Sequence, residues 1–235
     1  MLSITAVSHS FNGAPAITDV SLTVQPGEIV AIVGPSGCGK STLLRIAASL
    51  LSPDAGEVHT TGARLGYIFQ EPALLPWLRV RDNATLLADS ASDAPFVESL
   101  LARAGLTEHR DKWPHELSGG MKMRLSLVRT MAARPSVVLA DEPFGALDQI
   151  TRHHLHDELL ALHSTQPFAM VLVTHAIDEA VYLADRVLTM SPAPGRITAT
   201  TTVPLARPRH TGLRYDANFA AVCGKVAASL TAAGA

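Results

Sequence analysis

The segment GPSGCGKS, Gly34–Ser41, limits what this chain can fold into more than any other stretch of it. It fits the pattern G-x-x-x-x-G-K-[ST], and the apolar run EIVAIVG before it predicts a buried strand over 28–34. A helix is predicted from Lys40 to about Leu51. Because a strand, a glycine-rich turn and a helix N-terminus together present backbone N–H groups to an anion, the segment predicts a phosphate site for a nucleotide. Lys40 would place its ammonium on the β- and γ-phosphates, and Ser41 would offer its hydroxyl to Mg²⁺.

Strands and helices alternate along most of the 235 residues, and this alternation is typical of an α/β fold with a parallel sheet. Before the phosphate loop, residues 2–11 and 17–24 alternate in polarity around Asn12-Gly13, which predicts a pair of antiparallel strands. Further strands are predicted over 57–60, 65–69, 136–143 and 169–175 and up to Val203, with helices over 149–163 and 177–183.

A long helical segment interrupts this alternation between 79 and 134. Its apolar positions are Leu86, Leu87, Val97, Leu100, Leu101 and Leu106. We therefore expect a single domain over 1–235, in which 1–78 and 135–205 form a nucleotide-binding core with a β subdomain and 79–134 forms a helical subdomain.

The segment 206–235 predicts a terminal helix packed on the body. The apolar residues at helical spacing are Tyr215, Phe219, Val222, Val226 and Leu230. A helix lying on a membrane surface is the alternative, but its polar face would lack the usual stripe of basic residues.

Carboxylates follow the second apolar run, VVLADE at 137–142. Asp141 is placed to hold Mg²⁺ through water, and Glu142 to orient and deprotonate an attacking water molecule. The presence of both favours hydrolysis of the nucleotide over binding alone. His175 ends the predicted strand AMVLVTH, at the edge of a parallel sheet where ligands bind, although a structural hydrogen bond is its ordinary use. Gln70 ends the short strand LGYIFQ and carries little weight by itself.

A second glycine-containing segment, LSGGMKMRLSLVRT at 117–130, also has the design of an anion site. Ser118 can cap a helix, and the two glycines after it let a backbone approach a ligand closely. One chain therefore carries two candidate phosphate-binding segments about eighty residues apart.

The histidine-rich run HHLH at 153–156, with His163, invites a metal-site interpretation because His153 and His156 lie one helical turn apart. Carboxylate or cysteine ligands at matching spacing are missing, so a solvated helix face is the preferred interpretation.

Composition excludes several classes of protein. The net charge is −2 and the pI about 6.5, so nothing indicates a nucleic-acid partner. Two cysteines make no disulfide framework and fit a reducing cytosol. The N-terminus does not have the pattern of a signal peptide, and no run approaches the roughly 18 to 20 apolar residues of a membrane span. Charged residues make up only 17%, which fits either an alanine-rich composition or a surface covered by partners.

Taken together, these motifs resemble the ATP-binding subunit of ABC transporters, in that family's order from Phe11 to His175. GPSGCGKST resembles its Walker A motif, VVLADEP its Walker B motif and LSGGM its signature motif. Gln70 in YIFQEP matches the Q-loop, GALD at 145–148 the D-loop, and His175 the switch histidine. The resemblance implies an α/β P-loop NTPase (RecA-like) core with an antiparallel β subdomain and an inserted α-helical subdomain.

The resemblance also implies two copies placed head to tail, in which ATP held by one copy is covered by the other. Phe11 would stack on adenine, and Asp148 would link the two sites. Glu142 would act as general base, while His175 and Gln70 would contact the γ-phosphate, the water and Mg²⁺. The nucleotide would be bound by Gly34, Pro35, Ser36, Gly37, Cys38, Gly39, Lys40, Ser41 and Thr42 of one copy and by Ser118, Gly119 and Gly120 of the other, and Mg²⁺ by Ser41, Gln70 and Asp141.

A separate membrane permease is the further partner that the resemblance implies. The helical insertion would dock on it, with Gln70 at the hinge, and the chain would lie peripherally on the cytoplasmic face of the inner membrane. A substrate-binding protein would be an indirect partner. The stretches QEPALLPWLRVRDN and DEPFGALD, and Met121 after LSGG, resemble importers of nitrate, sulfonates, taurine or related small organic ions.

Two other classes of P-loop protein compete with this interpretation. A soluble ABC ATPase of DNA repair or translation usually carries a long coiled-coil insertion or two fused ATPase units, and neither is seen in this sequence. A P-loop kinase of small molecules would not need LSGGM or the D-loop.

Overall fold

Two β-sheets form the frame of the structure, a computed structural model that describes residues 1–60 and 62–234. Thr61 and Ala235, which belong to the predicted segments 1–78 and 206–235, lie outside the described residues. The strands are β1 Leu2–Phe11, β2 Ala14–Val24, β3 Ile29–Val33, β4 Ala55–Thr60, β5 Leu65–Ile68, β6 Val137–Asp141, β7 Ala169–Val173, β8 Arg186–Met190 and β9 Ile197–Thr202. The helices are α1 Lys40–Ala47, α2 Val80–Thr85, α3 Ala94–Arg103, α4 Gly119–Ala132, α5 Gln149–Thr165, α6 Ile177–Leu183 and α7 Ala217–Ala233.

The larger sheet has the order β5-β6-β7-β3-β8-β9, and only β9 runs antiparallel to its neighbour. Every residue of β3, β6 and β7 is buried, as expected for parallel strands that are covered on both faces. The smaller sheet is antiparallel, in the order β2-β1-β4. The predicted α/β fold, with a parallel core sheet and a separate antiparallel sheet, is therefore confirmed.

Side chains of β3 alternate between two hydrophobic cores, because successive residues of a strand point to opposite faces. Ile29, Ala31 and Val33 point into one core, where they pack with side chains from helices α2 to α7. Val30 and Ile32 belong to the core formed with β1, β2 and α1. The larger sheet thus has the antiparallel sheet and α1 on one side and the remaining helices on the other.

Helix α1 ends at Ala47, earlier than the predicted end near Leu51. Ser49 adopts a left-handed backbone conformation with φ +58°, and its N–H donates to the carbonyl of Ile46 at 2.9 Å. A residue in this conformation, bonded in this way, ends a helix. Such a residue is usually glycine or asparagine, and because position 49 is a serine the sequence did not mark the end of the helix.

All regular elements described between Arg79 and Arg134 are helical, as the sequence predicts. Of the apolar positions of this segment, Val97, Leu100, Leu101 and Leu106 are buried, whereas Leu86 and Leu87 are about half-exposed. The division of the chain into a core, a helical subdomain and a terminal segment stays a prediction.

The C-terminal helix α7 packs on α6 and β8 through Phe219, Val222 and Val226, which are buried. Tyr215 precedes this helix and is 87% exposed, so its predicted place on the packed face is wrong. Within residues 1–60 and 62–234, the helices are all too short or too polar to cross a bilayer.

Helix α5 carries the histidine-rich run, and the expectation of a solvated face is wrong for two of its histidines. His156 and His163 are buried. His156 contacts α6 and the chain that follows β9, and His163 Nε2 lies 3.0 Å from the carbonyl oxygen of Phe168, just after α5. Both ring nitrogens of His156 have protein partners, which leaves neither free for a metal ion.

Candidate functional site

A cavity of about 550 Å³ opens where the loop after β3 meets the ends of β5, β6 and β7. Its lining comes from sequence positions between 11 and 175 that the two sheets bring together. The lining residues are Phe11, Ala16, Ser36, Gly37, Gly39, Lys40, Ser41, Thr42, Gln70, Glu142 and His175. All but Ala16 were singled out from the sequence. Ala16 is a small apolar residue of β2 that carried no signal; the fold brings its carbonyl oxygen to within 2.9 Å of where a Cβ on Gly39 would lie.

Two glycines give the loop its shape. Gly37 and Gly39 have φ values of +77° and +96°, which other residues rarely adopt. A Cβ on Gly39 would also lie 2.3 Å from Ile17 Cγ2, so this glycine is needed for packing as well. A Cβ on Gly37 would meet nothing within 4 Å. Gly39 directly precedes α1, whose first N–H groups lack partners within the helix and are therefore available to an anion.

Lys40 is buried, and its ammonium is held inside the loop. Its Nζ donates to the carbonyl oxygens of Gly34 at 2.9 Å and Pro35 at 2.8 Å. Three residues of the loop do not line the cavity, namely Gly34, Pro35 and Cys38. Gly34 and Cys38 are buried on the side of the loop that faces away from the cavity. A Cβ on Gly34 would lie 2.8 Å from the carbonyl oxygen of Met190, so glycine is needed there for close packing.

Ser41 and Asp141 form the candidate metal-binding pair. The Ser41 hydroxyl donates to Asp141 Oδ1 at 2.9 Å, and Asp141 ends the buried strand β6. Burial raises the pKa of Asp141, and the hydrogen bond from Ser41 opposes this effect. A hydroxyl and a carboxylate oxygen in contact are the hard oxygen ligands that Mg²⁺ prefers, so the donor set fits this ion.

Glu142 and His175 lie side by side at the mouth of the cavity. Asp141 of β6 pairs with Val173 of β7, so the residues that follow these two strands come together. The Nδ1 atom of His175 is 3.1 Å from Glu142 Oε2. Glu142 has a left-handed φ of +46°, and its N–H donates to the carbonyl of Val173 at 2.9 Å. A non-glycine residue in this conformation is strained and is typical of functional sites.

Phe11 and Gln70 complete the rim of the cavity. Phe11 is about half-exposed at the end of β1, and its ring packs edge-to-face on His9 with centroids 4.7 Å apart. Gln70 follows β5, which pairs with β6, and this places it beside the end of the strand that carries Asp141.

Ser118, Gly119, Gly120 and Asp148 do not line this cavity. Ser118 caps α4, and its hydroxyl accepts from the N–H of Met121 at 3.3 Å. Asp148 caps α5, and the bond from the N–H of Thr151 lowers the pKa of its carboxyl. Both caps are exposed, and a Cβ on Gly119 would meet nothing within 4 Å. This second segment therefore offers an open helix N-terminus to something outside the chain.

A phosphate loop at the edge of a parallel sheet, with a hydroxyl–carboxylate pair behind it, defines a P-loop nucleoside triphosphatase. A family model described as "ABC transporter" matches residues 17–145. The chain belongs to the ABC transporter family, and within it the chain is an ATP-binding subunit that hydrolyses ATP.

Relatives and solved structures agree with this assignment. An aliphatic sulfonates import ATP-binding protein of Xanthomonas axonopodis pv. citri is 46% identical over 212 residues, which cover 85% of this chain and 84% of the relative. A putative ATP-binding protein of Brucella abortus is 41% identical over 237 residues, covering 96% and 91%. A solved dimeric ATP-binding cassette in a post-hydrolysis state with ADP and phosphate is 28% identical, with a TM-score of 0.78, and covers 88% of this chain and 100% of that one.

Proposed function

We propose that this chain is the ATP-hydrolysing subunit of an importer, and that two copies power a separate permease for aliphatic sulfonates or related small organic ions such as taurine, or for nitrate. One observation supports this most: the chain has a complete lining for one side of a nucleotide, and its second glycine segment lies outside that cavity. A site divided between two surfaces requires a second copy.

Different residues of the cavity would contact the base, the phosphates and the Mg²⁺ ion of bound MgATP. Phe11, exposed at the rim, would stack on the base. The N–H groups of Ser36, Gly37 and Gly39 and the first turn of α1 would bind the phosphates, with the buried ammonium of Lys40 beside them. Gly34, Pro35 and Cys38 would support this loop from behind, and Thr42 would close the lining at the helix.

Ser41, Asp141 and Gln70 would hold Mg²⁺, which when bound neutralises charge on the β- and γ-phosphates. Glu142 would accept the proton of the attacking water, a role supported by its place in the cavity lining directly after Asp141. His175, hydrogen-bonded to Glu142, would orient that carboxylate and contact the γ-phosphate.

The second copy would supply Ser118, Gly119 and Gly120, whose open helix N-terminus fits a γ-phosphate. Asp148, on the exposed cap of the neighbouring helix α5, would link the two sites. The similarity to solved cassettes described as dimeric supports this arrangement.

The permease would dock beside Gln70, on the segment 69–87. Its exposed apolar side chains are Phe69, Trp77, Leu86 and Leu87. Asn83 holds the segment together, since its buried amide donates to the carbonyls of Leu75 and Leu78 and accepts from the N–H of Leu75. A fixed apolar surface of this kind is typical of a protein interface, and it would place the chain on the cytoplasmic face of the membrane.

Sulfonates are favoured as cargo because several relatives at 43 to 46% identity are named aliphatic sulfonates import proteins. The test is uptake of radiolabelled ethanesulfonate, taurine and nitrate by cells with and without the gene. In cells without the gene, uptake of ethanesulfonate or taurine is expected to be lost while uptake of nitrate is retained. Unchanged uptake of all three would contradict the proposed cargo.

Trp77→Ala is expected to weaken copurification of the chain with its permease about tenfold or more, because Trp77 is 68% exposed and large aromatic residues dominate interfaces. The measurement is the amount of permease retained by a tagged chain in detergent. Tyr215→Ala removes an even more exposed aromatic residue, far from this segment in sequence, and serves as the control. Equal retention by the two variants would argue against docking at this segment.

A further inference from the structure

His156, in the middle of α5, has no exposed surface and contacts three other parts of the chain. Its Nε2 atom is 3.1 Å from Glu179 Oε2 on α6, and its Nδ1 atom is 3.0 Å from Arg214 Nη2. Arginine nitrogens only donate, so Nδ1 accepts and Nε2–H donates to the Glu179 carboxylate. The ring is therefore neutral, in one tautomer, and fixed from both sides.

Aromatic rings and a guanidinium group enclose the same histidine. The Phe144 ring packs edge-to-face on it, with centroids 4.6 Å apart at 80°. The Tyr182 ring of α6 lies 6.1 Å away, and the Arg214 guanidinium stacks 3.4 Å from the centre of that ring. Burial lowers the pKa of Arg214, while Tyr182, Asp157, Asp178 and Glu179 oppose this effect.

Three of the elements that meet at His156, namely α5, α6 and the turn after β6, begin at or within two residues of a residue of the candidate site. Phe144 is a fully buried residue of the turn that begins at the strained Glu142, and it follows that residue by two positions. The N–H of Gly145 donates to Glu142, and that of Leu147 donates to Phe144. Helix α6 begins two residues after His175, and α5 begins at the cap Asp148.

Arg214 belongs to a different part of the chain, the short 3-10 turn Thr211–Tyr215 before α7. A strained backbone such as that of Glu142 persists only where its surroundings fix it. The packing of Phe144 against a histidine that is itself fixed by Glu179 and Arg214 provides such surroundings.

We propose that His156 and Arg214 are positioning residues for ATP hydrolysis, through which the C-terminal segment fixes the placement of Glu142 and His175. The proposal rests on the hydrolytic roles proposed above for these two residues. Neither His156 nor Arg214 lines the nucleotide cavity, so ATP binding itself does not depend on them.

The chain offers a matched control on the same C-terminal segment. Arg207 pairs with Asp185 at 3.0 Å and donates to the carbonyl of Leu183, so it anchors the segment without contacting His156. Arg214→Met and Arg207→Met therefore remove the same group from the same segment, but only the first frees His156.

Steady-state ATP hydrolysis by the full chain tests the proposal. Arg214→Met is expected to lower kcat about tenfold with KM for ATP within about twofold, because misplacement of the reacting groups slows the chemical step. Arg214→Lys, which keeps a donor, is expected to lose less than about threefold, and Arg207→Met to stay within about twofold. Equal losses in the two Met variants, or a change in KM alone, would overturn the proposal.

The tautomer supplies a second readout. Long-range ¹H–¹⁵N spectra of histidine-labelled protein should show His156 as Nε2–H in the parent chain and in Arg207→Met, and the signal should change in Arg214→Met. A parent signal of the Nδ1–H form would overturn the proposal. If Arg214→Met does not give the circular dichroism spectrum of the parent, Arg214→Lys and Arg207→Lys are compared instead. A loss of kcat of about two- to threefold in Arg214→Lys, with none in Arg207→Lys, supports the proposal, and equal kcat values in these two variants contradict it.

Glu142→Gln in the same assay separates the general-base role of Glu142 from the positioning role of His156 and Arg214. Parental turnover in Glu142→Gln would remove the general-base role, whatever the arginine variants show. An inactive Glu142→Gln together with equal effects at Arg207 and Arg214 would remove only the positioning role.

Discussion

Replacing Glu142 with Gln is expected to lower ATP hydrolysis by at least about 100-fold, the range in which positioned general bases act. Gln keeps the size of the side chain and an oxygen acceptor, so the 3.1 Å contact with His175 Nδ1 and the strained turn can persist. It cannot accept a proton from water at neutral pH. ATP affinity should stay within about threefold of the parent, because the phosphate loop is untouched.

Phosphate release and binding of a fluorescent ATP analogue measure these two quantities separately, ideally on the complex with the permease. Glu108→Gln is the matched control, since Glu108 is an exposed carboxylate that does not line the nucleotide cavity. Near-normal turnover in Glu142→Gln would exclude the general-base role, and loss of ATP binding would show that the substitution disturbed the loop.

Lys40→Met is expected to lower ATP affinity about 100-fold, since loss of one charge-assisted hydrogen bond of about 3 kcal/mol corresponds to such a change. The Met side chain has a similar length and is apolar, so it can occupy the buried position of Lys40. The bonds from Nζ to the carbonyls of Gly34 and Pro35 would also be lost, which loosens the loop.

Titration with the same ATP analogue measures this loss, and Lys225→Met, an exposed lysine of α7, controls for the change in net charge. Unchanged affinity in Lys40→Met would contradict the assignment of Gly34–Ser41 as the phosphate loop. A lower melting temperature of Lys40→Met with unchanged affinity for the ATP analogue would show that Lys40 has only a structural role.

The phosphate loop was predictable because its glycines and lysine are adjacent in sequence and are each required by local geometry. Gly39, for example, needs both a left-handed φ and the absence of a Cβ. The contact between Glu142 and His175 depends on β6 and β7 being neighbours in the sheet, which strand order decides and local pattern does not show.

The histidine-rich run shows where local pattern fails. His153 and His156 are one turn apart, but only His156 is fully buried, because α6 and the turn before α7 cover it. Those partners lie 23 and 58 residues further along the chain. Leu86 and Leu87 show a second limit of local pattern, since these apolar residues of the helical segment are about half-exposed in the structure.

The proposed nucleotide site is divided between two copies of the chain, and sedimentation of Glu142→Gln with MgATP tests this division most directly. The variant is expected to sediment as a dimer with ATP and as a monomer with ADP. Adding Ser118→Arg places a bulky side chain on the exposed cap of α4 and should restore the monomer, while Ser164→Arg, the same change on an exposed serine of α5, should leave the dimer intact. A dimer that is unaffected by Ser118→Arg, or a monomer under all conditions, would contradict the divided site.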